Sequence, residues 1–395
     1  MDRRYPQSLN ENSTSKMKIL IDARFYGLEN TGIGRYTIGL VKSLAKIDRK
    51  NDYHLLLRKK YFDRLNLPSN WNKILAEIPH YSFNEQRLLP KIIKEVSPDL
   101  THFLHFNVPV AFRGKFVVTI HDLLMHQQKG LEATTLSPIK YFVKRLGYKS
   151  VFAFAVKKSR AIIVPSAVVK NELVSYYKIG QDKVVVAHEG VDVLPTAGDR
   201  KRILEKFGID SPYFIYAGNA YPHKNLKRAV EAIVKLNKGR KEPVLFAVAC
   251  ARNAFTEKLE KLADETGATK YIRLLGFVPD NELGVLYKNS LGFLFPSLSE
   301  GFGLPGLEAI LAGTMTLCSN IPVFKETYQD VAIYFDPLSS SSIKKAMNEV
   351  ALLAPETRAG LIKKAQRLAR RYSWDKMARQ TLRVYEDSFS LRSNQ

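Results

Sequence analysis

Short apolar runs of strand length recur along almost the whole chain, and helical patterns or glycine turns separate them. The runs fall at 17–23, 53–58, 72–78, 100–104, 115–121, 160–165 and 183–188, then at 213–218, 243–250, 271–277, 291–296, 315–319 and 332–335. Helical periodicity lies between them, as at Tyr36–Ile47, Leu226–Leu236, Glu257–Glu265 and Leu304–Leu311. Strands joined by helical crossovers pair in parallel, which predicts doubly wound α/β sheets. Two such series exceed one ordinary sheet, so the chain reads as two domains. The boundary belongs in Gly190-Val-Asp-Val-Leu-Pro-Thr-Ala-Gly198, which carries glycine and proline but no helical period. The expected division is a polar disordered tail (1–16), a first domain (17–194), a second domain (195–372) and a C-terminal helix within 373–395.

Of 395 residues, 45% are apolar and 25% charged, as in a soluble globular protein. No apolar run nears the roughly 20 residues that span a bilayer, and no signal-peptide pattern follows the polar start. A cytoplasmic setting is therefore expected. Cys250 and Cys318 lie in apolar runs and read as reduced, buried thiols. Charge is more selective: 61 Lys and Arg against 38 Asp and Glu give +23. Such a field draws phosphorylated ligands, anionic membrane or nucleic acid. No zinc-finger spacing, ribonucleoprotein motif or heptad zipper appears, so no nucleic-acid partner is expected. The basic, aromatic stretch from Lys140 to Arg160 reads as a structural helix with a solvated face, or as a surface that docks on anionic lipid.

Chemistry concentrates near residue 300. Ser299-Glu-Gly-Phe-Gly-Leu-Pro-Gly-Leu-Glu-Ala309 follows the apolar run Leu291–Ser297 and opens a helix. A glycine turn at a helix start presents N–H groups and a partial positive charge to an anion. Glu300 and Glu308 frame that turn, so a phosphate-binding bend is flanked by carboxylates that can hold hydroxyls. This stretch resembles the Glu-x7-Glu signature of the retaining glycosyltransferases of family GT4, whose GT-B fold has two Rossmann-like domains facing a central cleft. The resemblance covers Met17 to about Phe389. It implies that Glu308 grips the nucleotide ribose and that Glu300 lies by the donor sugar, with Gly301, Phe302, Gly303 and Leu304 lining the donor turn between them. It also implies that the C-terminal helix crosses back onto the first domain.

Other segments fit the same family. Asn30-Thr-Gly-Ile-Gly-Arg-Tyr36 resembles the N-terminal signature of a bacterial, mostly mannosyltransferase branch, which implies that Gly32, Ile33 and Gly34 face the donor phosphates ahead of a helix at Tyr36. Phe116-Val-Val-Thr-Ile-His121-Asp122 ends a strand where open α/β sheets place ligands. His121 is a candidate to donate a hydrogen bond to a sugar hydroxyl, and Asp122 to orient it or cap the next segment. His102 and His105 fall on opposite faces of one strand, which argues against joint metal ligation. His105 and Asn107, just past that strand, and Glu85, on a loop, are candidates for the acceptor side. In the second domain, Gly218-Asn219 leads to His223-Lys224 before a helix at Leu226. Lys224 is placed to neutralise a diphosphate. The family pairs an arginine with this lysine; here His223 is the expected second cation. Phe277 and Val278 are candidates for stacking on the nucleobase.

The resemblance thus implies transfer of a hexose, with mannose from GDP-mannose favoured, to a hydroxyl of a surface glycan or a polyprenyl-diphosphate-linked acceptor. His121, Glu300 and Lys224 are the catalytic candidates. No Asp-x-Asp motif is present, so neither metal nor other cofactor is expected. The alternatives are another nucleotide-sugar enzyme of the same architecture, such as an epimerase, or a non-enzymatic basic binder.

Overall fold

A computed structural model describes residues 15–127 and 138–390. The expected tail at 1–16 lies outside the described residues except for Ser15 and Lys16. Seven strands form one parallel sheet: β1 (Lys18–Asp22), β2 (Asp52–Leu57), β3 (Trp71–Leu75), β4 (Leu100–Phe103), β5 (Phe116–Thr119), β6 (Ala161–Val164) and β7 (Val184–Val186). Six form a second: β8 (Tyr213–Ala217), β9 (Leu245–Ala249), β10 (Ile272–Leu274), β11 (Gly292–Phe295), β12 (Thr316–Ser319) and β13 (Ile333–Phe335). Each predicted run corresponds to one strand, with ends displaced by a few residues.

The strand orders are β3-β2-β1-β4-β5-β6-β7 and β10-β9-β8-β11-β12-β13. In both sheets the winding reverses between the first strand and a later neighbour, β1 beside β4 and β8 beside β11. A crevice opens at the carboxyl ends of such a pair, because the two crossovers leave on opposite faces. The loop Gly218–Asn225 follows β8 and the Glu300 turn follows β11, so both candidate donor segments flank this point. The central strands are buried throughout, as in Tyr213–Ala217 and Gly292–Phe295, because helices cover both faces, whereas the edge strand Trp71–Leu75 is partly exposed.

Two local departures bear on the site, and one expected contact is present. The helix expected at Tyr36 begins at Thr31, so Gly32, Ile33 and Gly34 form its first turn rather than a preceding loop. Glu85 lies in the first turn of a helix, Phe83–Val96, and not on a loop. The C-terminal helix Trp374–Ser390 packs against the helix Thr31–Ile47, more than 300 residues earlier in the chain. Trp374 sits over Gly39 and Gly190, where a Cβ would come within 2.3 and 2.1 Å of it. Asp375 accepts hydrogen bonds from Ser43 (2.8 Å) and Lys46 (2.5 Å), and Tyr385 Oη bonds His102 Nδ1 at 2.6 Å.

Candidate active site in the interdomain cleft

A cavity of about 570 Å³ lies between the carboxyl edges of the two sheets, within the size range of small-ligand sites. Both domains line it: Gly32, Ile33, His121 and Asp122 from the first, and Gly218, Asn219, His223, Lys224, Phe277, Val278 and the whole segment from Ser299 to Pro305 from the second, with Glu308.

Glu300 and Lys224 form an ion pair, Nζ to Oε1 at 2.5 Å, both side chains partly open to the cavity. The cation meant for a diphosphate thus rests on the carboxylate meant for the sugar. A lysine ammonium has three donors, so it can turn toward phosphate oxygens without losing all its partners. Gly303 (φ 104°) caps the helix Leu304–Leu311, and Leu304 and Phe302 are buried at the cavity wall. Gly301 meets the other domain directly. A Cβ there would lie 1.9 Å from the His121 carbonyl oxygen, so only glycine lets the two loops touch.

His121 Nε2 lies 3.0 Å from the Leu104 carbonyl, so that nitrogen carries the hydrogen. Nδ1 faces Glu189 Oε1 at 3.4 Å. Both ring nitrogens thus face protein groups, Nε2 the Leu104 carbonyl and Nδ1 the Glu189 carboxylate, so a hydrogen bond from this ring to a sugar hydroxyl has to displace one of them. Asp122 accepts from Leu124 N at 2.9 Å, as a cap; burial raises its carboxyl above the usual range.

Several assignments change. His223 is buried, and burial, aided by the Lys224 charge, lowers its imidazole to about 4. That makes a neutral ring at pH 7 in the ligand-free site, which argues against the expected second cation. Gly34 is buried with the Gly27 carbonyl 1.9 Å from where its Cβ would stand, so its role is packing. Glu85, fully buried, binds Arg24 (2.6 Å), which also forks onto Asp22. Glu85 Oε2 further accepts from Tyr81 N and from Asn107 Nδ2. Neither Glu85 nor Asn107 is on the cavity wall: a carboxylate paired to a buried guanidinium holds the loop rather than an acceptor. His105 packs among Phe25, Tyr81 and Phe106 and likewise does not line the cavity; burial keeps its imidazole well below the usual value. Phe277, 66% exposed at the cavity rim, presents a free ring, whereas Val278 is buried.

The cavity also holds residues that the sequence reading left without a role. Arg35 crosses from the first domain to Asp280 (2.6 and 3.1 Å) and to Glu308 (3.0 Å). Glu189 and Tyr287 line the same space. Arg35 lies inside the Asn30–Tyr36 motif, but linear spacing carries no sign that it meets Asp280.

Two parallel-sheet domains thus meet at a polar cleft that holds both glutamates. Residues 199–368 match the family "Glycosyl transferases group 1" and residues 30–193 match "Glycosyltransferase Family 4". The two matches together span most of the chain, which is a glycosyltransferase with a family 4 domain followed by a group 1 domain. It is 23% identical over 376 residues to the O-antigen chain mannosyltransferase RfbU of Salmonella typhimurium, covering 91% of this chain and 97% of that one. It is 24% identical over 393 residues to O-antigen chain mannosyltransferase B of Escherichia coli, covering 94% and 100%. Among solved structures it is similar to WaaG, a glycosyltransferase of lipopolysaccharide biosynthesis (TM-score 0.71, 14% identity, 93% of this chain and 99% of that one). Another is Anabaena HepE with UDP and glucose (TM-score 0.72, 15% identity, 94% and 100%).

Proposed function

We propose that the protein transfers mannose from GDP-mannose, with retention, to a hydroxyl of a growing lipid-linked surface glycan. The mannosyl donor and the O-antigen-type acceptor are suggested by the relatives' activities and by the Gly-Ile-Gly-Arg-Tyr motif. The observation that carries the reading is that Glu300 and Glu308 line one cavity, on either side of the Gly301–Leu304 turn, with Lys224 against Glu300.

In this mechanism the acceptor oxygen bonds to the anomeric carbon as the bond from that carbon to the phosphate oxygen breaks. The acceptor proton passes to the leaving phosphate on the same face, and the nucleoside diphosphate departs. Lys224 and the first-turn N–H groups offset the charge growing on that phosphate. Glu300 holds the sugar, Glu308 the ribose, and Phe277 stacks on the base. Positive charge is thus available from side chains and helix ends, and EDTA is expected to leave the rate unchanged.

A thermal-shift panel of nucleotide-sugars tests the donor. GDP-mannose is expected to raise the melting temperature by mass action, above UDP- and dTDP-sugars. The anomeric configuration of the product by NMR tests retention. An isomerised donor formed without acceptor would select an epimerase instead. No helix among the described residues is long and apolar enough to cross a membrane. The helix Pro138–Lys158 leaves Phe142 and Leu146 exposed near exposed Lys144 and Lys149, which supports peripheral docking on an anionic inner leaflet.

A further inference from the structure

One cationic side chain of the first domain reaches two carboxylates of the second across the cleft. Arg35, on the helix Thr31–Ile47 of the first domain, forks both Nη groups onto Asp280 and sets Nε 3.0 Å from Glu308 Oε1. The planar guanidinium makes these contacts together, and Asp280 fixes its angle. Glu308 is 3% exposed. Burial pushes its carboxyl up to about 7, with Asp280, Asp192 and Glu189 adding to the rise and Arg35 opposing it. The Tyr287 hydroxyl, buried in the same neighbourhood, has no hydrogen-bond partner among the described residues. A carboxylate accepts two hydroxyl groups only when ionised; protonated, it gives up part of that capacity. Arg35 at Oε1 leaves the second oxygen for ligand hydroxyls. The cation that favours the ionised form therefore belongs to the opposite domain.

We propose that Arg35 is a positioning residue that reaches across the cleft to hold Glu308 ready for the ribose, so that the donor site of the second domain is complete only when the first is docked on it. This rests on the reading that Glu308 holds the ribose.

Calorimetric binding to the full chain tests it, using the nucleoside diphosphate that stabilises the wild type in the donor panel. Wild type, Arg35→Ala, Arg35→Lys and Glu308→Ala are compared at pH 7 and pH 9, with melting curves to verify folding. Arg35→Ala is expected to weaken binding at pH 7 by about tenfold, the equivalent of one pKa unit. That deficit should shrink at pH 9, where Glu308 ionises unaided, and Arg35→Lys, which keeps the charge but not the fork onto Asp280, should recover only part of the affinity at pH 7. An equal deficit at both pH values would make Arg35 a direct ligand and overturn the positioning role, as would unchanged binding at pH 7. Unchanged binding in Glu308→Ala would instead sink the ribose reading. A loss in Glu308→Ala without one in Arg35→Ala would remove the cross-domain role alone.

Discussion

Glu308 shows what one side chain costs and does. Its folded pKa of about 7 stands above the ordinary 4.5, so between these values the folded protein keeps a proton that the unfolded chain has released. Stability from this group is present at low pH, falls as pH rises through that window, and the cost is complete above it. Glu308→Gln should therefore melt higher than the wild type at pH 8.5, by up to about 3 kcal/mol, with no gain at pH 4. The same variant should lose donor affinity, a trade expected where a site is held against stability. Glu308→Ala is expected to weaken donor binding by about 1–3 kcal/mol, the worth of a charged hydrogen bond. Glu300→Ala should act differently, lowering kcat more than donor affinity, because the partner proposed for it is the sugar at the reacting carbon. Initial-rate kinetics beside calorimetry separate the two.

At the level of elements, the site depends on how closely two loops meet. The turn after β11 touches the loop after β5 where Gly301 faces the His121 carbonyl. A methyl group there has no room, and backbone on both sides cannot yield cheaply. Gly301→Ala should hold the domains apart. We expect kcat to fall by about a hundredfold, as for a misplacement of roughly 1 Å. Each domain's own core is untouched, so the melting temperature should change little.

The whole molecule is tied together by its C-terminal helix. Trp374 fills the space over Gly39 and Gly190, while Met377, Ala378, Val384 and Tyr385 are buried along one face. Trp374→Ala is expected to cost about 3–5 kcal/mol, the usual range for losing a large buried ring, measurable by denaturant unfolding. The +23 charge belongs to this scale too. Sedimentation with vesicles should show binding to anionic but not neutral lipid, reduced by salt and by Phe142→Glu with Leu146→Glu. Equal binding to both lipids would remove the docking surface.

The alternation of buried runs and amphipathic segments determined the two parallel sheets, because each such segment must bury its apolar side locally. The places of Glu300, Glu308 and Lys224 on the cavity wall were legible for a related reason: Glu300 and Lys224 lie in the segments that leave β11 and β8, Glu308 in the helix just after the first of these, and strand ends at a winding reversal open on the crevice. Tertiary structure alone decided which polar side chains reach it. Glu85 and Asn107 pair off with Arg24 and each other, burial favours the neutral ring of His223, and Arg35 finds its carboxylates 245 and 273 residues away. Pairing of charges and loss of solvent depend on distances through space, and a linear pattern holds no record of them.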